Sequence, residues 1–286
     1  MTSPSFTPDA VLPLLKQTQF RWYIAGQANW FASWGVRHVI FPWLVVVVLH
    51  ETPDRVGLAQ MAVLLPNLFL LLVGGAVADR SDLRRLLIVA QSAALLPPLG
   101  LAALMMMGHL SYPIMVSYGL LLGLTIAFVS PARDTLMSRL AGNEIQRAVT
   151  IATGLQFGCQ IIGVVLAGYA ASVGAPLLLL VQAGFIAAAL LATWQLAPVP
   201  SRRDVLATSS HWFEILDGLR VMRSIPLVAS IVELMVAVGF TFMGWFLVIL
   251  PVTIRDTYGG GATEIAVANM CFISGTVAAP LLMLRI

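Results

Sequence analysis

The chain has 286 residues, of which 59% are hydrophobic and only 10% charged. A soluble domain carries nearer a quarter of its residues charged, so this composition cannot clothe a water-facing surface and points to lipid as the solvent. Basic residues outnumber acidic ones by 16 to 13, an excess too small to argue for nucleic acid as a partner.

In chain order, residues 1–21 read as a cytoplasmic N-terminus, polar or broken by proline, with no small-residue cleavage site behind the first apolar stretch. The first helix itself is expected to direct insertion. A bilayer core about 30 Å thick needs about 20 apolar residues in a helix. Eight such stretches follow: 22–49, 58–78, 83–107, 112–131, 149–173, 175–196, 227–250 and 263–284. They are too long and continuous for the alternating strands of a barrel. The predicted domains are an N-terminal six-helix transmembrane bundle over 22–196, a cytoplasmic linker over 197–226, and a partial C-terminal bundle of two helices over 227–286. Within the linker, Trp212, Ile215, Leu216, Leu219 and Met222 share one helical face, while Glu214, Asp217 and Arg220 fall elsewhere. That pattern predicts an amphipathic helix lying on the membrane surface.

With the N-terminus placed in the cytoplasm, thirteen of the 16 basic residues fall on the inner side. Arg55 and Arg255 fall outside, and Arg37 lies within the first span. This asymmetry is what the positive-inside rule requires, and it supports the count of eight. The location implied is a cell membrane, inner or plasma, crossed many times.

Between the second and third spans runs Gly75-Ala76-Val77-Ala78-Asp79-Arg80-Ser81-Asp82-Leu83-Arg84-Arg85. A carboxylate at Asp79 beside these arginines can pair with basic groups or sit at a helix N-terminus, and such contacts can hold one conformation of a moving bundle. The segment resembles the signature loop of the major facilitator superfamily, in the position where that family carries it. The resemblance implies that Gly75, Asp79, Arg80, Arg84 and Arg85 form a latch between two halves of a transporter in its outward-open state. Asp82 stands where the family usually has glycine. On the fifth span, Gly154, Gly158, Gly163 and Gly168 are small residues suited to close helix packing. Gly163 with Ala167-Gly168 is similar to the glycine-rich motif of exporters in the superfamily, although Val164 replaces the usual proline. The segment Ser130-Pro131-Ala132-Arg133, with the surface helix of the linker, resembles the macrolide-efflux and enterobactin-exporter-like branch. The fourth span lacks the arginine that antiporters of the superfamily often keep there.

The family has twelve spans. The resemblance therefore implies an all-α polytopic fold with a complete N-terminal half and the first two helices of the C-terminal half. The chain is expected to lack the last four helices.

Arg37 and Glu233 are the charged residues deep in apolar spans, where charge is costly and marks function. The resemblance makes spans one and seven equivalent cavity-lining helices, so the two residues are candidates for a salt bridge or a substrate pair. Counted from the inner ends of their spans, they differ in depth by roughly 12 Å. Glu233 is alternatively a lone protonatable coupling residue, or snorkels to the inner surface. Asn29, Gln156 and Gln160, with Gln27 and Ser33, are candidates for a polar path or for interhelical hydrogen bonds. Trp30, Trp34, Trp43 and Trp245 suggest an aromatic cavity or interface anchors.

The function expected is secondary active transport by alternating access, with export of a small amphipathic compound, drug-like or siderophore-like. The partners are the lipid bilayer, the small-molecule substrate and a proton or other ion gradient, with no nucleic acid. An uptake carrier, a lipid flippase of the same fold, and a non-transporting fragment or partner subunit are the alternatives. No cofactor, metal site or enzyme activity is expected. His38, His50, His109 and His211 are scattered without ligand spacing, Cys159 and Cys271 lie in apolar stretches, and the P-loop pattern is lacking.

Overall fold

The computed structural model describes residues 14–198 and 226–283. The amphipathic linker helix and its arginines lie outside the described residues. Helices make up the described chain: α1 (Thr18–Trp43), α2 (Pro53–Arg80), α3 (Leu83–Met106), α4 (Tyr112–Ala141), α5 (Ile145–Gly168), α6 (Ala175–Trp194), α7 (Pro226–Val238), α8 (Leu250–Tyr258) and α9 (Ala262–Met283). Among the described residues, six runs are apolar and long enough to cross a bilayer. One of them, Tyr112–Gly168, holds both α4 and α5, separated by the turn Gly142–Glu144. Ile126 of α4 and Gln160 of α5 line the same cavity, which a straight rod through both cannot do. The chain reverses at Gly142, whose φ of +51° suits a residue without a Cβ. With the apolar stretch Ala262–Ala278 of α9 added, the described residues make eight rods.

Local sequence sets the ends. α2, α4 and α6 each carry a proline at the first or second helical position, where a missing N–H costs nothing. α3 is capped by Asp82, whose carboxylate accepts from the backbone N–H of Arg84 (2.9 Å) and Arg85 (3.2 Å). The departure from the family's glycine is thus a helix cap. Asp79 lies in the last turn of α2 and caps no helix N-terminus. α4 runs ten residues beyond the expected end at Pro131, which stays inside the helix.

α1 stands at the centre of the six-helix half, packed on α5 and α6, while α2 packs on α4 and α3 packs on α6. Two of these crossings bring backbones together. A Cβ on Gly35 would collide with the carbonyl of Gln160, and one on Gly163 with the carbonyl of Ala32. A Cβ on Gly74 would collide with the carbonyl of Ala127, and one on Gly123 with that of Val63. Pro131 has no N–H to offer the Ala127 carbonyl four residues back, and that oxygen rests against Gly74 instead. Gly168 meets Ala266 of α9, with a would-be Cβ 3.1 Å from its methyl. Gly154 and Gly158 have open space where a side chain would stand, which corrects their expected packing role. Nine residues at 3.6 per turn set Gly154 about 180° around α5 from Gly163, so the two cannot serve one interface. The outward faces are apolar. Leu68, Phe69 and Leu72 of α2 are exposed, as a lipid-facing helix requires.

Candidate functional site

Arg80, Arg84 and Arg85 gather at one end, opposite Arg55 and Arg255. There Arg84 Nη2 donates to the carbonyl of Trp194 (2.8 Å), closing one of the open carbonyls at the C-terminus of α6. Asp79, Arg80 and Arg85 are exposed at this end, and a Cβ on Gly75 would meet nothing. Asp79 makes no ion pair among the described residues. A narrow cleft nearby is lined by Tyr23, Gln27, Trp30 and Arg133, the last lying 4.7 Å over the ring of Phe31.

At the opposite end the seventh and eighth rods lock onto the six-helix half. Arg255 Nη1 donates to the carbonyls of Val46 (2.8 Å) and Glu51 (2.9 Å). Val46 belongs to a π-helical turn, Leu44–Val48, that ends the first span and leaves carbonyls without helical partners. Arg255 also holds Asp256 at 2.6 Å. The Thr263 hydroxyl donates to the carbonyl of Gly168 (2.9 Å). The Gln60 amide donates to the carbonyl of Leu247 (3.3 Å), an oxygen that Pro251 cannot serve from within the helix. α9 is capped there by Glu264, whose carboxylate accepts from Gly261 N–H at 2.6 Å. Towards the basic end α7 stands away from the bundle, with Leu234, Met235 and Val236 all more than half exposed.

Between these ends lies a cavity of about 260 Å³, walled by α1, α2, α4, α5, the seventh rod and α9. Trp34, Phe41, Phe157, Phe246 and Phe272 give it aromatic sides, and Arg37, His38, Gln60, Asn67, Gln160 and Asn269 give it polar ones. Two π-helical segments, Gly239–Met243 and Trp245–Ile249, turn Met243, Phe246 and Leu247 to the cavity. Such wide turns recur at functional sites.

Arg37 lies over the Trp34 ring, 4.8 Å from its centre. Its Nη2 donates to Nε2 of His38 at 3.3 Å, and the Gln160 side-chain amide lies 2.9 Å from His38 Nδ1. With Nε2 accepting, Nδ1 carries the ring's proton, and the Gln160 amide, whose nitrogen is the atom placed 2.9 Å away, turns over to offer its oxygen. His38 therefore ties α1 to α5 directly above the Gly35–Gly163 crossing. Arg37 Nε has no acceptor among the described residues.

Arg37 and Gln160 thus come together at the cavity, but the other candidates do not. No ion pair joins Arg37 to Glu233, which sits on the exposed face of α7 and does not line the cavity. The difference in depth along their spans and the exposed position of Glu233 keep them apart. Asn29 donates to the carbonyl of Ala25 in its own helix (2.9 Å), and Gln156 is absent from the lining. Of the tryptophans, Trp34 alone lines this cavity, and Trp245 is exposed beside Phe242. Sequence reasoning missed Gln60, Asn67 and Asn269. Their signal was an amide side chain inside an otherwise apolar span.

Residues 9–286 match the family described as transmembrane secretion effector. The fold is similar to that of a D-xylose–proton symporter, with a TM-score of 0.66 at 15% identity over 93% of this chain and 70% of that one. It is similar also to an auto-inhibited peptide transporter of the POT family, with a TM-score of 0.53 at 13% identity over 84% of this chain and 54% of that one. The chain thus spans about half the length of the peptide transporter. No curated protein sequence matches it. A family match over nearly the whole length, on an all-helical membrane fold, settles the class: the chain belongs to the transmembrane secretion effector family of the major facilitator superfamily, whose members are membrane transporters and not enzymes.

Proposed function

We propose that this architecture is a secondary active exporter of a small amphipathic compound, working by alternating access. One observation carries the reading. The central cavity lies between the six-helix half and the next two rods, and the polar contacts across that boundary gather at the end away from the arginines. A cavity shut at one end by breakable hydrogen bonds is what alternating access needs. The positive-inside rule puts the arginine end, and the N-terminus, in the cytoplasm of a cell or plasma membrane. The closed end then faces outward, and the structure represents an inward-facing arrangement. In this reading Gly75, Asp79, Arg80, Arg84 and Arg85 form the latch that closes in the outward-open form. The family description supports the outward direction, and the kinship with a proton symporter supports an ion gradient as the energy source.

The test is flux of amphipathic fluorophores in cells expressing the chain and in inverted vesicles made from them. Export predicts lower accumulation in cells and gradient-dependent uptake by the vesicles. Gradient-dependent accumulation in cells would instead support an uptake carrier. Absence of flux in both, with the protein present in the membrane, sinks the transport reading. Tags after Leu49 and after Arg85 are expected to react from opposite sides.

A further inference from the structure

We propose that the central cavity takes an apolar aromatic monoanion, its carboxylate or equivalent group meeting the guanidinium of Arg37. The proposal rests on the transport reading and names the substrate class for it. Arg37 is the one charged side chain among the residues lining the cavity, and neither Asp nor Glu is among them. A guanidinium in an apolar span is normally balanced by a carboxylate or spent on carbonyls. Here it does neither. Among the described residues Arg37 has no carboxylate partner, its Nε is buried without an acceptor, and its one hydrogen bond goes to the imidazole of His38 at 3.3 Å.

The surroundings fix the guanidinium without neutralising it. Trp34 supports its face from 4.8 Å, which leaves the N–H edge to point elsewhere. His38 is itself anchored by Gln160 at 2.9 Å, so the ring cannot swing away to follow the arginine. A planar, donor-only fork held over an indole, with Nε still lacking an acceptor, suits a carboxylate, which can accept N–H bonds from it. The amides Gln60, Asn67 and Asn269 can each turn to donate or accept, so they do not select a sign of charge. Phe41, Phe157, Phe246 and Phe272 supply flat apolar walls for the rest of the ligand.

The test is isothermal titration of the full chain in phosphatidylcholine nanodiscs with three isosteric probes: 1-naphthoate, 1-naphthamide and 1-naphthylmethylammonium. A hydrogen-bonded charge pair in a desolvated site makes naphthoate tighter than the other two by roughly ten- to a hundredfold. Arg37→Gln is expected to bring naphthoate down to the level of naphthamide, whose own loss is smaller, and Arg37→Lys to keep part of the preference. Binding of the amide or the ammonium equal to or tighter than that of the carboxylate overturns the proposal. So does binding of none of the three, or a preference that survives Arg37→Gln. If the Gln variant does not fold, the three probes on the unaltered chain decide alone. The outcome is separable from the transport reading: naphthoate preference without flux leaves the charge class standing, and flux with an ammonium preference does the reverse.

Discussion

Two interfaces of this molecule are built from different materials. Within the six-helix half, α1 crosses α5 and α2 crosses α4 at glycines, with carbonyl oxygens resting where a Cβ would stand. Between that half and the last two rods, the joints are single side chains reaching to backbone carbonyls: Arg255 to Val46 and Glu51, Gln60 to Leu247, Thr263 to Gly168. Backbone contact at glycine cannot be remade after sliding, because its fit depends on the place of each missing Cβ. A side-chain hydrogen bond can break, take up water and form again, at a net cost of about 1 kcal/mol. The first material suits a body that moves as one piece and the second suits a gate.

The largest effect is expected where the first interface is filled. Gly163→Leu, or Gly35→Val, drives a side chain into the carbonyl of Ala32 or Gln160, and neither helix can retreat without losing the His38–Gln160 link. Overpacking against backbone is expected to cost at least about 3 kcal/mol. The variants should fail to give a monodisperse peak in detergent. A normal melting temperature for either would show that the crossing yields.

The gate should respond differently. Arg255→Met removes both donors that close the first span's π turn, and leaves the rods themselves intact. The expected result is a stable protein whose cavity opens more often at the end away from the arginines. A cysteine placed at Phe41 should then react with a reagent applied from that side on the order of tenfold faster. Unchanged reactivity would mean that apolar packing of Val252 and Ile254, both buried, closes the gate without the arginine.

The sequence shows these two interfaces unequally. Span order, arginine asymmetry and the signature loop follow from hydropathy and charge, which read along the chain. Of the glycine crossings only Gly163 was singled out, because glycine composition does not say which side of a helix faces a neighbour. Gly154 and Gly158 looked equivalent to it until the neighbours were in place. The gate was invisible because its acceptors are backbone carbonyls freed by a π turn and by Pro251, and carbonyls carry no residue code. For the cavity, charge within a span singled out Arg37 and Glu233 alike, and of the two Arg37 lines it. Both are costly in lipid, and only the helix faces separate them.

Smaller effects test that lesson. Gly154→Ala and Gly158→Ala place a methyl in open space on an exposed helix face. Each should raise stability by about 0.5–1 kcal/mol, through the entropy that glycine loses in a helix. A rise in melting temperature checks this, and a fall would mean that the face is covered by another surface.

The smallest effect is expected at Glu233. Its carboxylate lies on the exposed side of α7, outside the residues that wall the cavity, with no ion pair to Arg37. A group that neither touches the substrate path nor neutralises its cation has no route to the coupling step except through the helix that carries it. Glu233→Gln keeps the size and removes the charge, so flux and its dependence on the proton gradient should both stay as they were. Loss of gradient dependence with binding intact would restore Glu233 as the coupling carboxylate. It would also require α7 to rotate that face inward during the cycle, making the seventh rod part of the moving gate over its whole length.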